Sequence, residues 1–147
     1  PGEPNETIAE AIELAGGTDC DTLSMEGTID GPDDVDWYFY VQTDDELGCN
    51  VRPGVDWAVQ ADHTLRVCSY LECQDDGESP NTVDCNGGSS PDSHDGLDGC
   101  CHTQVFDIGI GMLGCSGVTD LLNVYTSVEE PSAPEDTCAD YNINYHF

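Results

Sequence analysis

Nine cysteines and thirty-one carboxylates are the residues of this chain best able to do chemistry, set against four histidines and only two cations, Arg52 and Arg66. The cysteines are Cys20, Cys49, Cys68, Cys73, Cys85, Cys100, Cys101, Cys115 and Cys138, spread along almost the whole length. Zinc sites use repeated C-x2-4-C pairs, and here only the vicinal Cys100-Cys101 and the looser Cys68…Cys73 come close. Disulfides are therefore the expected use, each contributing roughly 2–4 kcal/mol to a chain whose apolar content is low. Nine is an odd number, so one thiol is left free, capped or bonded to another subunit. Adjacent Cys100 and Cys101 are expected to bond to different partners, because a bridge between neighbours strains the peptide joining them.

Catalytic constellations are not found. There is no G-x-S-x-G, no H-E-x-x-H and no strand–glycine-loop–helix pattern for phosphate. His63, His94, His102 and His146 are scattered, Cys101-His102 reads as a disulfide half beside a surface imidazole, and C-x-x-C-H is absent. Carboxylate pairs occur everywhere in so acidic a chain, so a pair by itself says nothing about hydrolysis. The run Asp92-Ser-His-Asp-Gly-Leu-Asp-Gly99 resembles a calcium loop only loosely, since it lacks D-x-[DN]-x-[DN]-G and the closing Glu. A non-enzyme is expected.

The net charge of −29, with no lysine at all, repels nucleic acid and anionic lipid, so neither is an expected partner. Such self-repulsion calls for screening by salt or by divalent cations. No apolar run approaches the eighteen or so residues of a membrane span. The start shows neither an initiator Met nor a signal-peptide pattern, as expected of a processed or excised chain with a history of export. The expected location is extracellular or at the cell surface.

The elements that must position these groups are mostly strands. Ile8–Leu14 has apolar residues at 8, 11 and 12 and could make one or two helical turns capped by Asn5 or Thr7, ended by Gly16-Gly17. Beyond it, pleat-compatible runs separated by Gly, Asp, Asn and Pro predict strands near 25–29, 35–41, 56–61, 64–71, 106–112, 121–128 and 141–147. Seven or eight strands at this spacing in 147 residues indicate one antiparallel, jelly-roll-like β-sandwich domain. In Val35–Val41 the alternation groups Trp37 with Val35 and Phe39 toward the core. Tyr38 and Tyr40 then face the surface, as candidates to stack on a carbohydrate or peptide ligand. Residues 74–99 hold almost no large apolar side chain and are expected to form a long acidic loop tied down by cysteines.

Three motifs together resemble a family. Glu3-Pro-Asn-Glu-Thr7 with the segment Ile8–Leu14, then Gly27-Thr-Ile-Asp-Gly31 leading into Asp34-Val-Asp-Trp-Tyr-Phe39, and the closing Tyr141-Asn-Ile-Asn-Tyr145 are similar to landmarks of bacterial pre-peptidase C-terminal domains. The cysteine-rich middle departs from the simple pattern and is similar to variants in myxobacterial exported proteins. The resemblance implies a non-catalytic sandwich that binds an extracellular polymer such as collagen or a protein partner. It also implies calcium held at Glu3, Asn5, Glu6, Asp33, Asp34 and Asp36, a set rich in the oxygens that calcium takes. The alternative is a structural subunit of an extracellular filament or surface assembly. Copies of the chain would then be joined by strand addition, by calcium or by a bond through the ninth cysteine.

Overall fold

The structure is a computed structural model that describes residues 5–18, 21–43, 53–59, 64–103, 107–115, 121–132, 134 and 138–146. Two sheets pack face to face. The larger contains β1 (Ile12–Glu13), β2 (Gly17–Thr18), β4 (Val35–Thr43), β6 (Arg66–Cys73), β8 (Ser90–His94), β9 (Leu97–Thr103) and β11 (Leu122–Glu129), in the order β1-β4-β11-β6-β9-β8 with β2 also on β4. The smaller contains β3 (Thr22–Ile29), β5 (Gly54–Val59), β7 (Thr82–Cys85), β10 (Asp107–Leu113) and β12 (Ala139–His146), in the order β3-β12-β5-β10-β7. All pairings are antiparallel except those of β1 and β2, which run parallel to β4. The fold is an all-β sandwich with disulfides, as expected, with twelve strands among the described residues rather than seven or eight.

The seven expected strands all appear. The extra ones lie where apolar periodicity is silent. Residues 74–99 are not a loop: they supply β7, β8 and the start of β9. β7 and β8 are edge strands, with one neighbour each in their sheets; β8 is mostly exposed, so Ser, Asp and Pro suffice there, and β7 packs only Val83 and Cys85 against the core. The expected helix is a single 3-10 turn at Ile8–Glu10, and Thr7 makes no side-chain cap bond to the backbone. Ile12-Glu13 joins the edge of β4 instead, and the Leu14 N–H donates to the Phe39 carbonyl. Sheet pairing satisfies these backbone groups more completely than a two-turn helix would.

Between the sheets lie Tyr40, Leu71, Leu122, Val124 and Val128 from the larger, against Ile29, Ile108, Ile110, Ile143 and Tyr145 from the smaller. Each such side chain contributes roughly 1.5–3 kcal/mol by leaving water. Tyr38 and Tyr40, expected at the surface, are 4% and 0% exposed in this layer. The alternation along β4 is correct but the faces are reversed. Trp37, Cys68, Tyr70, Leu97 and Cys101 form a second, smaller cluster on the opposite side of the larger sheet, where Ile8 and Ala11 of the entry segment pack against it. Both faces of β4 are covered, so alternation alone could not say which one meets the other sheet.

The cysteines divide the same way. Cys68–Cys101 joins directly opposed residues of β6 and β9 within one sheet. Cys85–Cys100 links β7 to β9 and Cys73–Cys115 links β6 to the segment after β10, so both staple sheet to sheet. Successive residues of a strand point to opposite faces, which is why Cys100 reaches the other sheet and Cys101 its own neighbour. Cys138 is free and exposed. Cys20 and Cys49 lie outside the described residues.

β12 pairs with β3 on one side and β5 on the other. It is therefore a central strand and not a free end for addition to another copy.

Candidate functional site

The outer face of the larger sheet carries a concavity of about 400 Å³. Its base follows from the register. Tyr70 of β6 lies opposite Gly99 of β9, and Gly99 lies opposite Asp92 of β8. Gly99 has no side chain to separate them; a Cβ there would sit 2.7 Å from the Tyr70 ring. Across that gap the Tyr70 hydroxyl donates to Asp92 Oδ2 at 2.9 Å. On the other side, Ser127 of β11 stands between Trp37 and Cys68 and leaves room over itself. The indole of Trp37 stacks with the Tyr70 ring at 5.8 Å between centroids, and the His94 imidazole tilts over both, at 4.8 and 5.7 Å.

Arg66, two residues before Cys68 and on the same face, bridges the polar half. Its guanidinium donates to Asp92 at 2.8 Å and to Glu129, and lies 3.2 Å from Cys101 Sγ. Burial disfavours the Arg66 cation, but the bonds to Glu129 and Asp92 outweigh it and hold its pKa above the usual value. Burial likewise opposes the Asp92 anion, yet the Tyr70 hydroxyl, the Ser93 N–H and Arg66 keep its carboxyl below the usual range. Tyr70 is pushed up, by burial first and then by Asp92. Glu6, Ile8, Ala9, Val35 and Asp95 complete the rim.

No protein-family model, curated protein or solved structure matches this chain.

Of the residues expected to hold calcium, Asn5 and Asp36 meet, but among the described residues no three carboxylates of the set lie within ligand distance of one another. Asp36 is 2% exposed, and its oxygens accept from Asn5 Nδ2 at 2.9 Å and from the Tyr141 hydroxyl at 2.5 Å. The Tyr141 hydroxyl also lies 2.6 Å from that of Tyr38. Gly27 makes this possible, since a Cβ there would fall 2.7 Å from the Tyr38 oxygen. Asp34 accepts from the Asp30 N–H, Asp33 is exposed, Glu6 faces the concavity, and Glu3 lies outside the described residues. Asn5 Oδ1 is the one buried oxygen of the set without a hydrogen-bond partner. Calcium takes about six to eight oxygens, so the described residues of this set do not fit the ion. Among the described residues, one His/Cys/Asp/Glu group lies within ligand distance, Cys68, Asp92 and Cys101, and its two sulfurs are spent on each other.

Sequence names Arg66 only as a rare cation, His94 only as one of the scattered histidines and Asp92 only within a loose calcium-loop resemblance, and it does not single out Tyr70 or Glu129. One signal was present: Asp95-Gly96 is the two-residue turn of the β8–β9 hairpin, both residues in the left-handed region at φ 49° and 85°. A D-G pair is a strong hairpin signal, and the hairpin is what carries Asp92 and His94 to Arg66.

Proposed function

We propose that this domain is a non-catalytic extracellular binding module, comparable in role to the pre-peptidase C-terminal domains it resembles. It takes a protein or polymer partner in the concavity on its larger sheet. The carrying observation is the wall of that concavity, where aromatic and aliphatic groups meet a polar cluster whose members already satisfy one another. A general acid needs a raised carboxyl pKa and a general base a poised one; Asp92 is lowered and Tyr70 raised. Both shifts lead away from proton transfer at neutral pH, and the cysteines at the base are bonded to each other. The three disulfides suit export to an oxidising compartment, and among the described residues no helix is long and apolar enough to cross a membrane.

The test is backbone-amide NMR of the labelled domain titrated with collagen-derived peptides and with soluble oligosaccharides. Shifts confined to residues 6–9, 66–70 and 92–95 are expected with at least one of them. Shifts on the smaller sheet alone, or none with any partner, would remove the reading.

The rival, a self-assembling subunit, is supported by the exposed thiol of Cys138. A hydrogen bond with Asp30 and the nearby carboxylates push that thiol up, which lowers its thiolate fraction and slows oxidation. Mass measurement without reductant separates the two: covalent dimers lost in Cys138→Ser support assembly, and a monomer with one titratable thiol supports the binding module.

A further inference from the structure

We infer that the occupant of the concavity is a lysine or arginine side chain presented by a basic partner polypeptide. The inference rests on the binding-module reading and names the chemistry of its ligand. Four carboxylates line the concavity, Glu6, Asp92, Asp95 and Glu129, against one guanidinium, Arg66. Arg66 is already paired with Asp92 and Glu129, so it does not offset Glu6 and Asp95, two exposed residues of the rim, of which Asp95 lies 3.7 Å from the His94 imidazole. A cation entering there meets a net negative site inside a chain of net charge −29. That field attracts basic partners from a distance and repels acidic ones.

The shape selects among cations and neutral ligands. Trp37 and Tyr70 are 4% and 3% exposed. With the rings stacked on each other and His94 tilted over both, little ring surface is left for a flat sugar to stack on. The wall formed by Ile8, Ala9 and Val35 suits the methylene stem of a long basic side chain, which buries its stem while its charged end reaches carboxylates. A second copy of this chain is a poor occupant. It has no lysine, its Arg66 is already in its own site, and only Arg52 could be offered, against the repulsion of two strongly acidic bodies.

The test uses the full chain and host peptides of alanine and glycine with one central Lys, Arg, norleucine or Glu, read by amide NMR and calorimetry. The Lys and Arg peptides should bind with shifts at residues 6–9 and 92–95, and binding should weaken as salt rises. Glu6→Gln with Asp95→Asn, two exposed positions whose change leaves the core intact, should weaken it about tenfold. Glu26→Gln with Asp84→Asn, the same charge change on the smaller sheet, should weaken it less than about twofold. Equal losses in both double variants would mean diffuse attraction to an acidic surface and would overturn the inference. Equal binding of the norleucine peptide at the same amides would also overturn it while leaving the binding module standing. Absence of shifts with every peptide and polymer would remove both.

Discussion

Replacing Tyr141 by Phe tests whether Asp36 is a hydrogen-bond hub between the sheets and not a metal ligand. The ring, 4% exposed, keeps its packing; what is lost is one hydroxyl. That hydroxyl donates to a buried carboxylate oxygen at 2.5 Å and lies 2.6 Å from the Tyr38 hydroxyl. Losing a hydrogen bond to a charged, buried group costs about 1.5–3 kcal/mol. For a chain of this size each kcal/mol is worth about 2–4 °C, so the melting temperature should fall by about 3–12 °C. Asp36→Asn keeps the volume and removes the charge. Since each variant breaks the same interaction, the double variant should cost at least about 1 kcal/mol less than the sum of the two. Urea titration at constant m-value measures all three. A loss under about 0.5 kcal/mol in Tyr141→Phe, or strict additivity, would refute the role of Asp36 as a hydrogen-bond hub.

Removing the Cys85–Cys100 staple, with 15 residues of separation, by a double change to alanine should cost about 3 kcal/mol. Differential scanning calorimetry would show this, and an unchanged melting temperature would mean that the sheets hold without it. Burial raises the pKa of Tyr40, Tyr70, Tyr125, Tyr141 and Tyr145 above the ordinary tyrosine value. The unfolded chain therefore releases these protons first: stability is full below about pH 10 and falls above it, by up to about 1.4 kcal/mol per pH unit for each deeply buried ring such as Tyr40. Tyrosinate absorbance should then rise together with loss of circular dichroism; a smooth native titration near pH 10 would contradict the burial. Calcium should shift the melting temperature no more than magnesium at equal ionic strength, because Asp36 and Asp34 are committed to hydrogen bonds. A calcium-specific rise that Asp36→Asn abolishes would show that the ion assembles a site there.

Much of the fold was legible because its signals are local. Alternation in Val35–Val41 and Tyr141–Phe147, with Gly, Asp and Asn between runs, needs only the period of a pleat, and it located seven strands. Adjacency alone separated the partners of Cys100 and Cys101, since a bridge between neighbours strains the peptide joining them. What alternation cannot state is which face is inside. Asn5–Ala11 folds over the outer side of β4, so Trp37 is buried away from the inter-sheet core while Tyr38 and Tyr40 fill it. Edge strands such as β8 carry no apolar signature, so the hairpin that brings Asp92 and His94 to Arg66 looks like loop in the sequence. The site itself joins residues from β4, β6, β8 and β11 through the register Trp37, Ser127, Cys68, Cys101 and Tyr70, Gly99, Asp92. Composition and local periodicity determined that this is an acidic, disulfide-bonded β protein. Strand order and register, which depend on contacts far apart in the chain, decided where its one cation among the described residues sits and which carboxylates surround it.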